Sequence, residues 1–82
     1  MALRFVGIDP GTGGGNCPAV WVDTDAKPEP DLLFQGWLVD EVTQAECLKD
    51  SPRPGTEAVI RVPARMVPLI REACDVAERT QL

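Results

Sequence analysis

Residues 4–23, RFVGIDPGTGGGNCPAVWVD, constrain this chain more than any other stretch, because two short apolar runs flank a long glycine-rich turn. Residues 3–8 read as a strand, with Phe5, Val6 and Ile8 and a single charge at Arg4. The segment 9–16, DPGTGGGN, then breaks the ladder: proline has no amide to donate, and glycine reaches backbone angles closed to other residues. Residues 18–23, PAVWVD, read as a second strand. So short a connection allows only antiparallel pairing, since a parallel crossover takes roughly a dozen residues or more.

The remaining chain adds two strands and two helices. Residues 32–39, LLFQGWLV, predict a third strand after a polar segment carrying Pro28 and Pro30. Residues 40–49 predict a short helix with Asp40 as its N-cap and Lys49 at its end, the polarity a helix dipole favours. The loop 50–56, DSPRPGT, leads to a fourth strand over residues 58–62. Pro63 opens the last helix, whose Met66, Leu69, Ile70, Ala73, Cys74 and Ala77 recur at three- and four-residue spacing. Pro68 sits inside that pattern and predicts either a distorted first turn or regular helix from Pro68 onward. The expected fold is a single α+β domain over residues 1–82. It has a four-stranded, mostly antiparallel sheet and two helices, the longer one C-terminal.

This sheet is unusually apolar. If one face packs beneath both helices, the other shows Val6, Ile8, Trp21, Leu33, Trp37 and Val59, residue types that dominate protein interfaces. Trp21 and Trp37 lead that set, and Arg61 and Arg65 are candidates for its polar rim. The competing arrangement puts one helix on each face and leaves nothing exposed. A chain of 82 residues buries a small core, so a partner or second copy is expected to complete it.

Charge narrows the partners. Thirteen acids oppose eight bases for a net charge of -5, with nine of the acids in residues 1–50. Such a surface repels nucleic-acid phosphate and is steered toward basic protein surfaces. Cys17, Cys47 and Cys74 lack the spacing of a disulfide framework or zinc site, and the chain has no histidine. They read as small buried hydrophobes in a reducing cytoplasm, with no cofactor or metal implied. No apolar run is long enough for a signal peptide or membrane span, which predicts a cytoplasmic protein with no membrane contact.

The run VGIDPGTGGG, residues 6–15, resembles the first phosphate motif of the actin, heat-shock-chaperone and sugar-kinase superfamily, and the opening strand of RuvC-type resolvases. That resemblance implies glycine amides around a phosphate and a metal on Asp9. Completing such a site takes further carboxylates and a second glycine loop or a lysine. Pro54-Gly55-Thr56 supplies neither, so the turn reads as a hairpin loop with Asp9 at its start. A nucleotide- or metal-binding fragment is the enzymatic alternative, and a small-ligand sensor using the apolar face is another.

The combination GGGNCPAVWVD, LLFQGW and AVIRVPARM resembles short actinobacterial proteins of the BldB-like type over roughly residues 4–73. The most diagnostic pieces are Gly14-Gly15-Asn16-Cys17 leading into a strand and an arginine-bearing strand before the C-terminal helix. Such proteins are commonly encoded beside an XRE-type helix-turn-helix regulator. The resemblance implies no enzyme activity, self-association as a homodimer, and modulation of that transcription regulator.

Overall fold

The computed structural model of the chain describes residues 1–11 and 17–81. The expected geometry of residues 12–16, the centre of the glycine turn and of the diagnostic Gly14–Asn16 step, lies outside the described residues. Strands β1 (Leu3–Ile8), β2 (Ala19–Asp23) and β3 (Asp31–Gln35) form an antiparallel sheet in the order β1-β2-β3. Strands β4 (Trp37–Leu38) and β5 (Ile60–Arg61) pair antiparallel in a second, two-stranded sheet. Helix α1 (Glu41–Leu48) lies between these two strands in sequence. A 3-10 turn (Ala64–Met66) leads into helix α2 (Val67–Gln81). The class is α+β, with the expected single sheet divided in two.

Gly36 divides it. A Cβ at this position would stand 2.7 Å from the Arg61 carbonyl oxygen and 2.9 Å from Val62 Cγ1, so a side chain here would collide with the passing backbone. The continuous strand expected over residues 32–39 therefore breaks into β3 and β4. The strand expected over residues 58–62 shrinks to β5, because β4 offers it only Trp37 opposite Arg61 and Leu38 opposite Ile60.

Helix α2 makes the core. Its Leu69, Ala73, Val76 and Ala77, which share one face of the helix, meet Val6, Val20 and Val22 of the sheet. Val20, Val22 and Ala73 are wholly buried, and each valine contributes about 1.5–3 kcal/mol by leaving water. Gly7 keeps α2 close, since a Cβ on it would stand 2.6 Å from Leu69 Cδ2. After an extended Pro63 comes the 3-10 turn, and regular helix begins only at Val67, the distorted start that Pro68 predicts. Pro68 then falls in the first turn of α2, where a missing amide costs no intrahelical bond.

Helix α1 is built locally. Asp40 Oδ1 accepts the Thr43 amide at 2.8 Å, the N-cap expected from the sequence. No residue of α1 is buried, so the expectation of both helices beneath one sheet face is corrected: only α2 lies there. Helix α1, β4, β5 and the loop 49–59 form a small lobe with polar contacts across it. Arg53 Nη2 donates to Gln44 Oε1 at 3.1 Å, and Arg61 Nη2 to Thr43 Oγ1 at 3.4 Å. Leu38 and Val42 stand 85% and 75% exposed on this lobe.

The chain is thinly spread. Its radius of gyration is 14.2 Å, where a compact domain of this length has about 12 Å. Its accessible surface is 5891 Å² for 8.9 kDa, against about 4,800 Å² for a compact monomer of that mass.

Candidate functional site

Cross-strand partners share a sheet face, so the register assigns each side chain. Val20 and Val22 face α2, and with them Phe34 and Leu32, their partners in β3. The other face carries Leu3, Phe5 and Ile8 from β1, Trp21 from β2 and Leu33 from β3. The α2 core lies on the Val20–Val22 side, and at the Ile8 end of this face Ala19 is buried. Phe5 and Trp21 are cross-strand partners with ring centroids 5.8 Å apart and planes at 53°. Such an aromatic pair adds about 0.5–1.5 kcal/mol beyond its burial. Leu3, Phe5 and Ile8 remain exposed, while Trp21 and Leu33 are half-buried. At one end of the face Asp23 and Asp31 stand opposite each other, making that end acidic.

This face gathers Ile8, Trp21 and Leu33 of the expected residues and leaves out the others. Val6 turns to the α2 side and packs on the core, because the ladder is bulged between Phe5 and Gly7. That one-residue shift reverses the phase of β1 and brings Phe5, which the alternation placed elsewhere, to the open face. A glycine inside a strand pattern is the sequence sign of a bulge, and Gly7 carries it. Trp37 and Val59 are half-buried in the small lobe and do not join the open face, because the chain leaves the three-stranded sheet at Gly36. Arg61 is exposed beside Trp37, its fork turned to the Thr43 hydroxyl.

Arg65 is no simple rim residue. Its Nε donates to Asp9 Oδ1 and its Nη2 to Asp9 Oδ2, both at 2.7 Å. Asp9 is 2% exposed. The Gly11 amide also donates to Asp9 Oδ1 at 2.8 Å, and the Asp9 amide donates to the Pro18 carbonyl at 2.7 Å. The Arg65 hydrogen bonds hold the Asp9 carboxyl below the usual carboxylate range, against a desolvation that pushes it up. The arrangement clamps the start of the glycine turn to the entrance of α2. Chemically it is a closed carboxylate: both oxygens are engaged by a fork that matches them.

Other groupings offer less. Among the described residues no cluster of three or more Cys, Asp or Glu side chains is placed to hold a metal ion. Cys17, Cys47 and Cys74 are half-buried thiols. An apolar cleft between α1 and the following loop, lined by Gln44, Cys47, Leu48 and Val59, encloses about 110 Å³. Ordinary ligand pockets hold about 300 Å³ or more.

No protein-family model matches the chain, and no curated protein or solved structure is significantly similar to it. No helix among the described residues is long and apolar enough to cross a membrane.

Proposed function

We propose that this chain is a non-catalytic interaction protein that self-associates and modulates a helix-turn-helix DNA-binding partner. One observation carries the reading: a single helix covers one side of the sheet, leaving Leu3, Phe5, Ile8, Trp21 and Leu33 on the other. Apolar side chains gathered on one sheet face are the usual mark of a protein contact. The acidic end formed by Asp23 and Asp31, with a net charge of -5, favours a basic protein surface over a nucleic acid. A helix-turn-helix reader domain offers such a surface, and the BldB-like resemblance supports that choice.

The closed state of Asp9 speaks against the phosphate-loop alternative. Arg65 and the Gly11 amide place three hydrogen bonds on its two oxygens, so a metal on Asp9 would compete with the guanidinium fork for the same carboxylate. The test combines light scattering with a DNA-binding assay. At micromolar concentration the chain should scatter as an oligomer, leave operator DNA unshifted alone, and change the operator affinity of an XRE-type regulator encoded beside it. A monomer that leaves the regulator's affinity unchanged would sink the reading.

A further inference from the structure

We infer that two copies of this chain join through β3, antiparallel about Leu33, and merge their three-stranded sheets into one of six strands. The inference rests on the self-association proposed above and specifies its geometry.

The sheet has two edges, and they differ. Strand β1 is bulged between Phe5 and Gly7 and carries Arg4 beside the bulge, two devices that discourage pairing with another chain. Strand β3 has neither. It keeps an unbroken register with β2 over all of Asp31–Gln35, has a strand neighbour on one side only among the described residues, and reads Leu32-Leu33-Phe34 at its centre. A regular, apolar, unprotected edge is a template for a further strand.

The helix side points to the same edge. Leu32 and Phe34 lie on the face that α2 covers, yet remain 37% and 41% exposed, because the core formed with α2 is built on β1 and β2. A second strand and helix brought alongside would cover both. Self-pairing about Leu33 also suits the charges. It sets Leu33 against the partner's Leu33, Leu32 against the partner's Phe34, and Asp31 against the partner's Gln35. A parallel arrangement would set Asp31 against Asp31.

The experiment measures mass by size-exclusion chromatography with light scattering, and fold by circular dichroism. The wild-type chain should elute as a dimer. The Leu32→Lys/Phe34→Lys variant should keep its spectrum and halve the mass, whereas Phe5→Lys, on the open face, should remain dimeric. A Leu33→Cys variant should give a covalent dimer under mild oxidation beyond any seen for wild type, because it faces itself across the symmetry axis. If the lysine pair fails to fold, this cross-link decides in either direction. A dimer that survives the lysine pair and dissociates with Phe5→Lys overturns edge pairing while leaving self-association intact. A wild-type monomer at 100 µM (a concentration of order 10⁻⁴ M, ample for a standard interface) overturns both.

Discussion

Arg65 closes on Asp9 across 56 positions of sequence with two parallel hydrogen bonds of 2.7 Å each. It is a long-range ion pair between side chains, with the aspartate wholly enclosed. It fixes the end of β1 against the turn that enters α2. The residue pair that looked separable, a loop aspartate and a rim arginine, is a single structural unit.

Acid sensitivity follows from that unit. Arg65 holds Asp9 below its ordinary value of 3.8, and the Thr43 hydroxyl and amide do the same for Asp40. A carboxyl depressed in the folded state stabilises above its unfolded value and loses that contribution as pH falls through the folded one. Thermal midpoints of the wild type should therefore lose these contributions only below pH 3.8. In Arg65→Met, Asp9 is left buried without its cation, so desolvation raises its pKa. That variant should be the less stable at pH 7, with the gap narrowing on acidification. An equal gap at pH 7 and pH 3 would contradict the clamp.

The glycines divide into three outcomes. Gly36→Ala drives a Cβ to 2.7 Å from a backbone oxygen that has little freedom to yield, and should cost about 1–3 kcal/mol in chemical denaturation. Gly11→Ala sets its Cβ 2.5 Å from Arg65 Nε, so it should displace the guanidinium and reproduce the acid response of Arg65→Met. Gly55→Ala meets nothing within 4 Å and should be neutral or stabilise by about 0.4–1 kcal/mol through the unfolded chain.

Val20→Ala tests where the core lies. Val20 is wholly buried against α2, and losing two methyl groups there should cost about 2–3 kcal/mol. The equivalent truncation at Val42, 75% exposed on α1, should change stability by no more than about 0.5 kcal/mol. Urea titrations of the two variants measure the contrast directly.

Much of this fold was legible in order of the strength of its local signals. The first two strands, the Asp40 cap and the apolar spacing of α2 are encoded within a few residues, and each appears close to its expected place. Two features were not legible because they depend on contacts distant in sequence. The break at Gly36 is set by the approach of Arg61, and the partnership of Asp9 with Arg65 by the packing of α2. The membership of the open face failed at three residues: Trp37 and Val59 leave with the small lobe, and Val6 turns away because a bulge separates it from Ile8, which period-two alternation carries to the same side. Ile8, Trp21 and Leu33 were readable; Phe5 needed the bulge.

On the proposed reading, in which a helix-turn-helix regulator docks on the open face, removing apolar bulk from that face should weaken the binding. Phe5→Ser alters an exposed side chain, and a loss of about fivefold or more in affinity is the expected scale for a contributing interface residue. Isothermal calorimetry against an XRE-type regulator measures it, and an unchanged affinity would move the docking surface elsewhere.

The small lobe joins the sheet through Gly36 on one side and the Val62-Pro63 step on the other, and its helix buries none of its residues. Its stability is therefore local, and it is the part of the molecule to open first. Backbone amides of α1 should exchange with deuterium far sooner than those of β2. A protease should nick the exposed 51–58 segment while the α2-covered sheet stays whole.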